Sequence, residues 1–345
     1  MARKLIFVTQ QVDPGHPALA ATVPKIRALA SLVDEVVVLA GEAVAGALPL
    51  NCRVHTFRAG TRAARGVRFE AALARELRGL RRGAVVAHMC PIYAVLAAPL
   101  VRPLRVPLLL WFTHWKASRL LRAAERVCTA VVSVDERSFP LVSRKVRAIG
   151  HGIDLEEFPC VGARPVGESL SLLALGRYSE AKGLDVVVRA VADVADVSLH
   201  VYGPTLSAAE RATRAELAAL ASRLGVGERV ALRDAVPRSS LPALFRSYDA
   251  LVNNMRAGAP DKVVFEAAAS CLPVLASNPV FDRFLEPDQR FERDDPAMLA
   301  DRIRVLASLS VEQRAELGRR LRERVRDGHS VESWARGVVE AAGLR

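Results

Sequence analysis

The chain has 345 residues, of which 51% are hydrophobic and 25% are charged. This composition excludes a disordered or fibrous protein, and the length is sufficient for two domains, each with its own core. The formal net charge of +12 lies entirely in one half, because residues 1–165 contain 24 basic and 12 acidic side chains and residues 166–345 contain 25 of each. Aromatic residues make up only 5% of the chain, which argues against a single-stranded nucleic-acid binder that stacks bases on exposed rings. We therefore expect the N-terminal half to bind an anionic partner other than single-stranded nucleic acid.

Short apolar runs rich in Val, Ile and Leu alternate with longer segments of helical periodicity, a pattern typical of parallel sheets covered by helices on both faces. In the first half, strands are predicted at Lys4–Thr9, Glu35–Ala40, Arg53–Phe57, Ala84–Met89, Leu108–Phe112, Ala130–Val134 and Lys145–Ile149. Helices are predicted between them, for example at Leu19–Leu32 and Arg68–Arg82. The long uncharged stretch Gly83–Val101 contains a histidine and two prolines, and we interpret it as a buried strand followed by a short helix rather than as a membrane span.

The second half repeats this alternation. Strands are predicted at Ser171–Gly176, Ser198–Gly203, Val230–Asp234, Ala250–Asn253 and Pro273–Ser277, with helices near 184–193, 207–223, 239–247 and 262–270. Three further helical segments follow, at about 297–308, 311–327 and 330–343. The segment Phe158–Ser169 has no periodicity and is interrupted by prolines and glycines, as expected of a linker.

The sequence therefore predicts an α/β protein of two doubly wound, Rossmann-like domains. We place the first domain at 1–160 and the second at 161–328, with a C-terminal helix at 329–345 that packs back toward the first domain. Two open sheets of this kind create a cleft between the carboxyl ends of their strands, where a ligand is expected to bind.

The cysteines are five in number and widely scattered, with no Cys-x-x-Cys pair: Cys52, Cys90, Cys128, Cys160 and Cys271. This arrangement predicts neither a disulfide framework nor a zinc site, and we interpret the cysteines as small buried hydrophobic residues in a reducing compartment. The apolar run at the N-terminus extends only from Leu5 to Val8, too short for a signal peptide. We therefore expect a cytoplasmic protein.

The first segment with recognisable chemistry is Leu173–Asp185, in which a buried strand ends at Gly176 and is followed by Arg177 and by Lys182 at the start of a helix. Two cations on a strand-to-helix turn can hold a diphosphate from two sides, with the helix N-terminus adding its amides. Lysine is rare in this chain, since only six of the 49 basic residues are Lys. The presence of one in this turn therefore favours a functional site. The alternative is a solvated turn whose charges have no ligand.

The second segment runs from Asn253 to Ser277, again a strand, a turn and a helix. A turn through Gly258 that leads into Asp261 and Lys262 would expose backbone N–H groups to an anion. Glu266, one turn inside the predicted helix, is suited to accept hydrogen bonds from ribose hydroxyls, or else it is a structural carboxylate.

Together these segments resemble glycosyltransferase family 4, the retaining enzymes of the GT-B fold. The resemblance covers nearly all of residues 145–285 and, more loosely, the N-terminal domain and the C-terminal helix. Its motifs follow in the family's order: the stretch Gly150–Phe158, the Gly-Arg-x-x-x-x-Lys-Gly motif at 176–183, Val201–Pro204, Leu241–Asp249 and the segment around Glu266. It implies a GT-B architecture in which two Rossmann-like domains face each other across a cleft. The N-terminal domain would then bind the acceptor, and the C-terminal domain the nucleotide sugar.

The resemblance also implies roles for single residues. Arg177 and Lys182 would stabilise the departing diphosphate, and His114, at the end of a strand in the first half, would reach the donor sugar or acceptor. The donor-binding residues would be Gly176, Gly203, Gly258, Asp261, Lys262, Val263 and Glu266. The family's first motif glutamate is replaced by Gly258, so that its contact with the sugar is missing or comes from elsewhere, such as Asp261. On the acceptor side, the loop after the first strand offers Asp13, Gly15 and His16.

The function implied is that of a retaining, hexosyltransferase-like glycosyltransferase that moves a sugar from a nucleoside diphosphate sugar to an acceptor hydroxyl. We expect it to act in polysaccharide, glycolipid or glycoconjugate biosynthesis, without a cofactor and, since no Asp-x-Asp motif is evident, without a metal. Three alternatives stay open: a GT-B sugar-nucleotide epimerase, a catalytically lapsed homologue, and a basic nucleic-acid- or membrane-binding protein without catalysis. We expect no nucleic-acid partner, because nucleic-acid binding would not explain the arrangement of Arg177, Lys182 and Glu266.

Two cationic stripes lie in the basic half. Along Arg68–Arg82 the basic side chains, preceded by Arg58, Arg62 and Arg65, oppose an apolar face, and Lys116–Arg126 carries a second set. Such stripes suit an anionic membrane surface or a phosphorylated lipid carrier. They therefore predict an anionic or lipid-linked acceptor and peripheral contact with the inner face of the membrane, although each helix alone is also consistent with an ordinary solvent-exposed face.

Overall fold

The computed structural model describes residues 2–16, 19–160, 169–258 and 260–345. The chain divides into two compact units: unit 1 is formed by Met1–Asp154 and Gly328–Arg345, and unit 2 by Leu155–Asp327. The first boundary thus lies at Asp154 rather than at residue 160. Phe158, at the start of the predicted linker, is fully buried in unit 2, and residues 161–168 of that linker lie outside the described residues.

The sheet of unit 1 is entirely parallel within the described ranges. Its strands are β1 (Lys4–Val12), β2 (Glu35–Ala43), β3 (Cys52–Thr56), β4 (Gly83–His88), β5 (Leu108–Trp111), β6 (Ala130–Ser133) and β7 (Val146–Ala148), in the order β3-β2-β1-β4-β5-β6-β7. Lys4 of β1 pairs with Glu35 on one side and with Gly83 on the other. The strand order therefore reverses between β1 and β4, which makes the carboxyl ends of these two strands the switch point of the sheet.

Helices cover both faces of this sheet: α1 (Thr22–Ala30), α2 (Arg62–Leu77), α3 (Pro91–Val101), α4 (Arg119–Val127) and, from the end of the chain, a helix at Val331–Ala341. Because both faces are covered, the run Leu5–Val8 of β1 has no exposed surface at all. Ile6, Val37 and Val85 join Phe69 of α2 and Ala94 of α3 in one core cluster. The C-terminal helix packs on α1, and its Trp334 meets Trp111 edge to face at 5.6 Å.

The helix predicted at Arg68–Arg82 begins six residues earlier, at Arg62, and ends at Leu77. Thr61 caps it by accepting a hydrogen bond from the Ala64 backbone at 3.2 Å, and such a cap begins a helix independently of apolar spacing. Arg78 and Arg82 consequently lie beyond the helix, whereas Arg62 and Arg65 lie within it. The prediction was wrong here because the first turns of α2 are solvent-exposed and carry no apolar periodicity.

Unit 2 has a second parallel sheet. In chain order its elements are β8 (Leu170–Leu175), α5 (Leu184–Ala192), β9 (Val197–Tyr202), α6 (Ala208–Arg223), β10 (Val230–Arg233), α7 (Leu241–Arg246), β11 (Ala250–Asn253), α8 (Lys262–Ala269), β12 (Val274–Ala276), α9 (Pro296–Ser308) and α10 (Val311–Gly328); the C-terminal helix is α11. The apolar residues of β8, β9 and β11 pack with α5, α6 and α9 in a single cluster. The strands of this sheet lie in the order β10-β9-β8-β11-β12, so the strand order reverses between β8 and β11.

The cysteine prediction was wrong for two of the five residues. Cys160 and Cys271 form a disulfide within unit 2, with their Cα atoms 5.0 Å apart. The disulfide joins the beginning of the unit to Cys271, two residues beyond the end of α8, across a sequence separation of 111. The spacing of the cysteines in the sequence does not reveal this proximity. Cys90 and Cys128 are buried thiols, as expected, and Cys52 is half-buried.

Candidate functional site

The candidate site of unit 2 lies at the carboxyl ends of β8 and β11, where the strand order of the sheet reverses. Open α/β sheets bind their ligands at this switch point, because the loops from the two strands diverge and leave a crevice. One loop runs from Gly176 to Gly183, and the other runs from Asn253 to the start of α8. The backbone N–H of Arg256 donates to the Ala181 carbonyl at 3.0 Å, so the two loops are held together.

Lys182 lies between these loops with only 14% of its side chain exposed. Its Nζ donates to the Leu175 carbonyl at 3.3 Å and forms an ion pair with Asp261. The Asp261 carboxylate also accepts a hydrogen bond of 2.9 Å from Asn253. The lysine charge is therefore held in one place, facing the beginning of α8.

Two glycines make room for this arrangement. A Cβ on Gly176, whose φ is +136°, would overlap the Lys182 side chain, and a Cβ on Gly203 would overlap the Gly176 carbonyl oxygen. Both glycines were predicted as donor-binding residues. The structure gives each of them a packing reason, because they allow Lys182 and the ends of β8 and β9 to approach closely.

Arg177 occupies the rim of the site. Its side chain is 61% exposed, and its Nη1 lies 3.4 Å from Oε1 of Glu210, a buried residue in the first turn of α6. Glu210 also accepts a hydrogen bond from the Leu206 backbone at 2.6 Å. Arg177 is thus anchored toward α6 on one side and open to solvent on the other.

The beginning of α8 provides the backbone N–H groups that the sequence predicted. Asp261 is the N-cap residue, but its side chain makes no capping hydrogen bond because it is bound to Lys182 and Asn253. The first N–H groups of a helix have no intrahelical partner, and here they belong to Lys262 and Val263. Before them, the Gly258 carbonyl accepts a hydrogen bond from Asn278 at 3.4 Å, which fixes the loop at this glycine.

Glu266 is buried, with 3% of its side chain exposed, and belongs to an ion-pair network. Its Oε1 lies 2.5 Å from Arg238 Nη1 and 2.9 Å from Lys262 Nζ. Burial favours the neutral acid and would raise its pKa, but the charges of Lys262 and Arg238 outweigh burial, so the pKa of Glu266 is lowered. The residue is therefore a charged carboxylate.

Arg238 and Glu157 complete this network, and neither residue was predicted. Two guanidinium nitrogens of Arg238 lie 2.8 Å from the two carboxylate oxygens of Glu157. Burial alone would lower the pKa of Arg238, but Glu266 and Glu157 raise it. In the described part of unit 2, each of the four cations at the site, Arg177, Lys182, Arg238 and Lys262, has a carboxylate within ion-pair distance.

The predicted acceptor-side residues lie in unit 1. Asp13 accepts a hydrogen bond from the Gly15 backbone at 2.8 Å, and His16 Nδ1 accepts one from the Leu19 backbone at 3.0 Å. Asp13 and His16 therefore shape the loop between β1 and α1. His114 follows β5 at the carboxyl edge of the same sheet; it is exposed, accepts a hydrogen bond from the Lys116 backbone and stacks on Trp115 at 5.5 Å.

The charge is distributed between the units as the halves of the sequence predicted. Unit 1 contains 25 basic and 12 acidic residues, and unit 2 contains 24 and 25. Across the described ranges, no three His, Cys, Asp or Glu side chains are grouped as metal ligands. No helix in the part of the chain that the structure describes is both long and apolar enough to cross a membrane.

Comparisons with known proteins agree with this architecture. The family model described as "Glycosyl transferases group 1" matches residues 169–308, which include Lys182, Asp261 and Glu266. Sucrose-phosphate synthase from Thermosynechococcus elongatus superposes with a TM-score of 0.74 at 18% identity over 98% of both chains. Anabaena HepE in complex with UDP superposes with a TM-score of 0.76 at 17% identity over 99% of this chain and 100% of its own. The protein has the GT-B fold.

A curated relative is the D-inositol 3-phosphate glycosyltransferase of Mycobacterium marinum (strain ATCC BAA-535 / M). It is 29% identical over 162 residues, which cover 43% of this chain and 34% of that protein. The match thus spans about a third of the relative's length.

Proposed function

We propose that the protein is a retaining glycosyltransferase of family 4 that transfers a sugar from a nucleoside diphosphate sugar to an acceptor hydroxyl. The main support for this proposal is the position of Lys182. This nearly buried cation is fixed at the switch point of the unit 2 sheet, beside the N-terminus of α8. The match of residues 169–308 to a glycosyltransferase family model supports it. HepE, of the same fold, has been crystallised with UDP and with UDP-glucose. These relatives favour a transferase over a sugar-nucleotide epimerase.

The donor diphosphate would bind at the beginning of α8, where Lys182 and the backbone N–H groups of Lys262 and Val263 converge. Lys182 would exchange its ion pair with Asp261 for the diphosphate, and Arg177 would approach from the exposed rim. Glu266, charged and held in place by Arg238, would accept hydrogen bonds from the two ribose hydroxyls.

In the reaction, the bond between the anomeric carbon and the diphosphate oxygen breaks, and the acceptor oxygen bonds to the anomeric carbon on the same face. The acceptor proton passes to the departing phosphate oxygen, so that no protein base is required. Lys182, Arg177 and the α8 N-terminus stabilise the negative charge that develops on the diphosphate, and fixed charges of this kind are effective because they need no reorganisation. We propose that the reaction proceeds without a metal.

The donor sugar would lie beside Gly258, where the family's glutamate is missing. Asp261, three residues later, has the nearest carboxylate in the chain sequence. We propose that it takes over the contact with the sugar once Lys182 has turned to the diphosphate.

Unit 1 would bind the acceptor, with His114, Asp13 and His16 in the loops at the carboxyl edge of its sheet. Its excess of cations favours an anionic acceptor, in the synthesis of a polysaccharide, glycolipid or other glycoconjugate. The exposed arginines of α2 and α4 would bring the protein to the anionic inner face of the membrane.

A thermal-shift screen against UDP-, GDP-, ADP- and TDP-sugars tests the donor site. We expect stabilisation by one of them, and we expect Lys182→Ala to abolish it. The matched control is Arg189→Ala, which removes an exposed cation from the last turn of α5 and should leave the shift unchanged. If none of the four donors stabilises the wild-type protein, the proposed function is wrong.

A further inference from the structure

A groove in unit 1 lies between the N-terminal halves of α2 and α3 and has a volume of about 930 Å³. Its walls are mostly apolar, with Val67 on α2, Ile92 and Leu96 on α3, and Leu120 on α4. Val67 is 65% exposed, Ile92 41% and Leu120 40%. Apolar side chains grouped in an open groove are unfavourable in water, and such surfaces are typical of binding sites.

The groove opens at the switch point of the unit 1 sheet, because Gln10 at the end of β1 and Met89 just after β4 belong to its lining. A second cavity of about 490 Å³ adjoins it and shares Gln10 and Arg65. The side chains around this second cavity are mostly polar: Gln11 of β1 and Glu42 of β2, both near the carboxyl ends of their strands, and Arg58, which follows β3. A polar cavity and an apolar groove thus meet at one place.

Cations surround the point where the two cavities meet. Arg62 and Arg65 line the groove, and so does Tyr93. Burial has the largest effect on the Tyr93 hydroxyl and raises its pKa overall, whereas the charge of Arg65 acts on this hydroxyl in the opposite direction and lowers its pKa. Arg58 is paired with Glu42 at 3.2 Å. In contrast to the paired cations of unit 2, neither Arg62 nor Arg65 has a carboxylate of the described residues within ion-pair distance. Of the described residues that line the groove, Glu70 is the one acid.

We propose that the acceptor is a phosphorylated lipid that occupies both cavities. Its polar head lies in the cavity at the ends of β1 and β2, its phosphate lies at Arg62 and Arg65, and its apolar chain lies along Val67, Ile92 and Leu120. This inference rests on the proposed function for the reaction, but it concerns a binding site in unit 1 that is separate in the chain from the donor residues. An apolar chain in the groove, and not only a cationic surface, distinguishes it from general attraction to anionic membranes.

Binding of dihexanoyl phosphatidic acid, a water-soluble lipid phosphate, to the full chain tests the proposal by calorimetric titration. We expect glycerol phosphate, the same head without chains, and dihexanoyl phosphatidylcholine, the same chains with a zwitterionic head, to bind at least tenfold more weakly. Equal binding of glycerol phosphate would overturn the proposal, because the groove would then contribute nothing.

Substitutions on the exposed wall separate the groove from the surface charge. Val67→Asn, and Ile92→Asn on the opposite wall, remove apolar surface without adding charge and should each weaken binding of the lipid at least tenfold. Val142→Asn, at a fully exposed valine of unit 1 outside the groove, should not. Thermal melting of each variant checks that it folds. If both groove variants still bind anionic vesicles and the soluble lipid as the wild-type protein does, the cationic surface of unit 1 alone accounts for lipid binding, and the proposal is wrong.

Binding of the four nucleotide sugars, measured in parallel, separates the two proposals. Binding of one of them without binding of the lipid would overturn the lipid acceptor and leave the glycosyltransferase standing. Binding of the lipid but of none of the four nucleotide sugars would support the groove and contradict the donor site.

Discussion

The guanidinium of Arg238 lies 2.5 Å from the carboxylate of Glu266 and at the same time holds Glu157 through two contacts of 2.8 Å. One arginine therefore links Glu157, near the beginning of unit 2, to Glu266 in α8, although the two carboxylates are far apart in the chain. Both Arg238 and Glu266 are largely buried, with 18% and 3% of their side chains exposed. Buried charges must be paired. Arg238 therefore holds in place the Glu266 carboxylate, which we propose to accept hydrogen bonds from the ribose hydroxyls.

Replacement of Arg238 by Gln should therefore destabilise the protein. Glu266 would keep Lys262 but lose its closer partner, and removing one member of a buried ion pair costs about 3 kcal/mol. Urea unfolding followed by circular dichroism measures this loss. Arg246→Gln, at an exposed arginine at the end of α7, is the matched control and should change stability little. Equal stability of the Arg238 and Arg246 variants would contradict a supporting role for the network.

The pH dependence of stability should contain a contribution from Glu266. Burial opposes the charged form, but Lys262 and Arg238 outweigh burial and lower the pKa of this carboxyl in the folded state. Its stabilising contribution is therefore fully present above the unfolded pKa of about 4.3 and is lost as the pH falls through the lower folded value.

We accordingly expect Glu266→Gln to destabilise the protein most near neutral pH. The difference from wild type should shrink progressively below about pH 4.3. Urea unfolding of both proteins at neutral pH and at a pH below that value measures it. A difference that is the same at both pH values would show that Glu266 contributes by packing and not by charge.

The inner strands of both sheets, such as β4, β5 and β11, were predicted correctly because each is a local run of apolar residues that is buried on both faces. The edge strand β3 is largely exposed, and its position was predicted from the alternation of strands and helices along the chain. The beginning of α2 was predicted too late, although Thr61 was available as a capping signal. The apolar spacing begins only at Phe69, because the two preceding turns face solvent.

Lys182, Asp261 and Glu266 could be predicted as site residues from the sequence because each lies in a recognisable strand-turn-helix segment, and their role stays a prediction. Arg238 was not, since it is one of 43 arginines and its partners, Glu157 and Glu266, are distant in the chain. The same holds for Cys160 and Cys271. Contacts between residues this far apart are made by the tertiary fold, and a single sequence carries no signal for them.

Gly203 should tolerate no side chain. A Cβ at this position would overlap the Gly176 carbonyl oxygen, and a clash between two backbone segments cannot be relieved by a change of rotamer. We expect Gly203→Ala to lower the free energy of unfolding by about 2 kcal/mol, as overpacking does. Gly227→Ala, where the nearest atom would lie 3.9 Å from the new Cβ, is the control and should be nearly neutral. Equal effects of the two substitutions would contradict the close approach of β8 and β9.

Asp261 should compete with the donor diphosphate for Lys182. The carboxylate is bound to Lys182 and to Asn253, which donates to it at 2.9 Å, and it lies at the N-cap of the helix where we place the diphosphate. Removing one negative charge a few ångströms from another is worth about 1 kcal/mol where water screens the pair.

Asp261→Asn preserves the size of the side chain and removes its charge, so UDP should bind about fivefold more tightly, in keeping with that ~1 kcal/mol. Transfer from the sugar nucleotide should fall at the same time, because the proposed contact with the sugar is weakened. Calorimetric titration with UDP measures the first effect, and the rate of product formation measures the second. Weaker binding of UDP would instead mean that Asp261 chiefly positions Lys182, and an unchanged transfer rate would remove it from the sugar site.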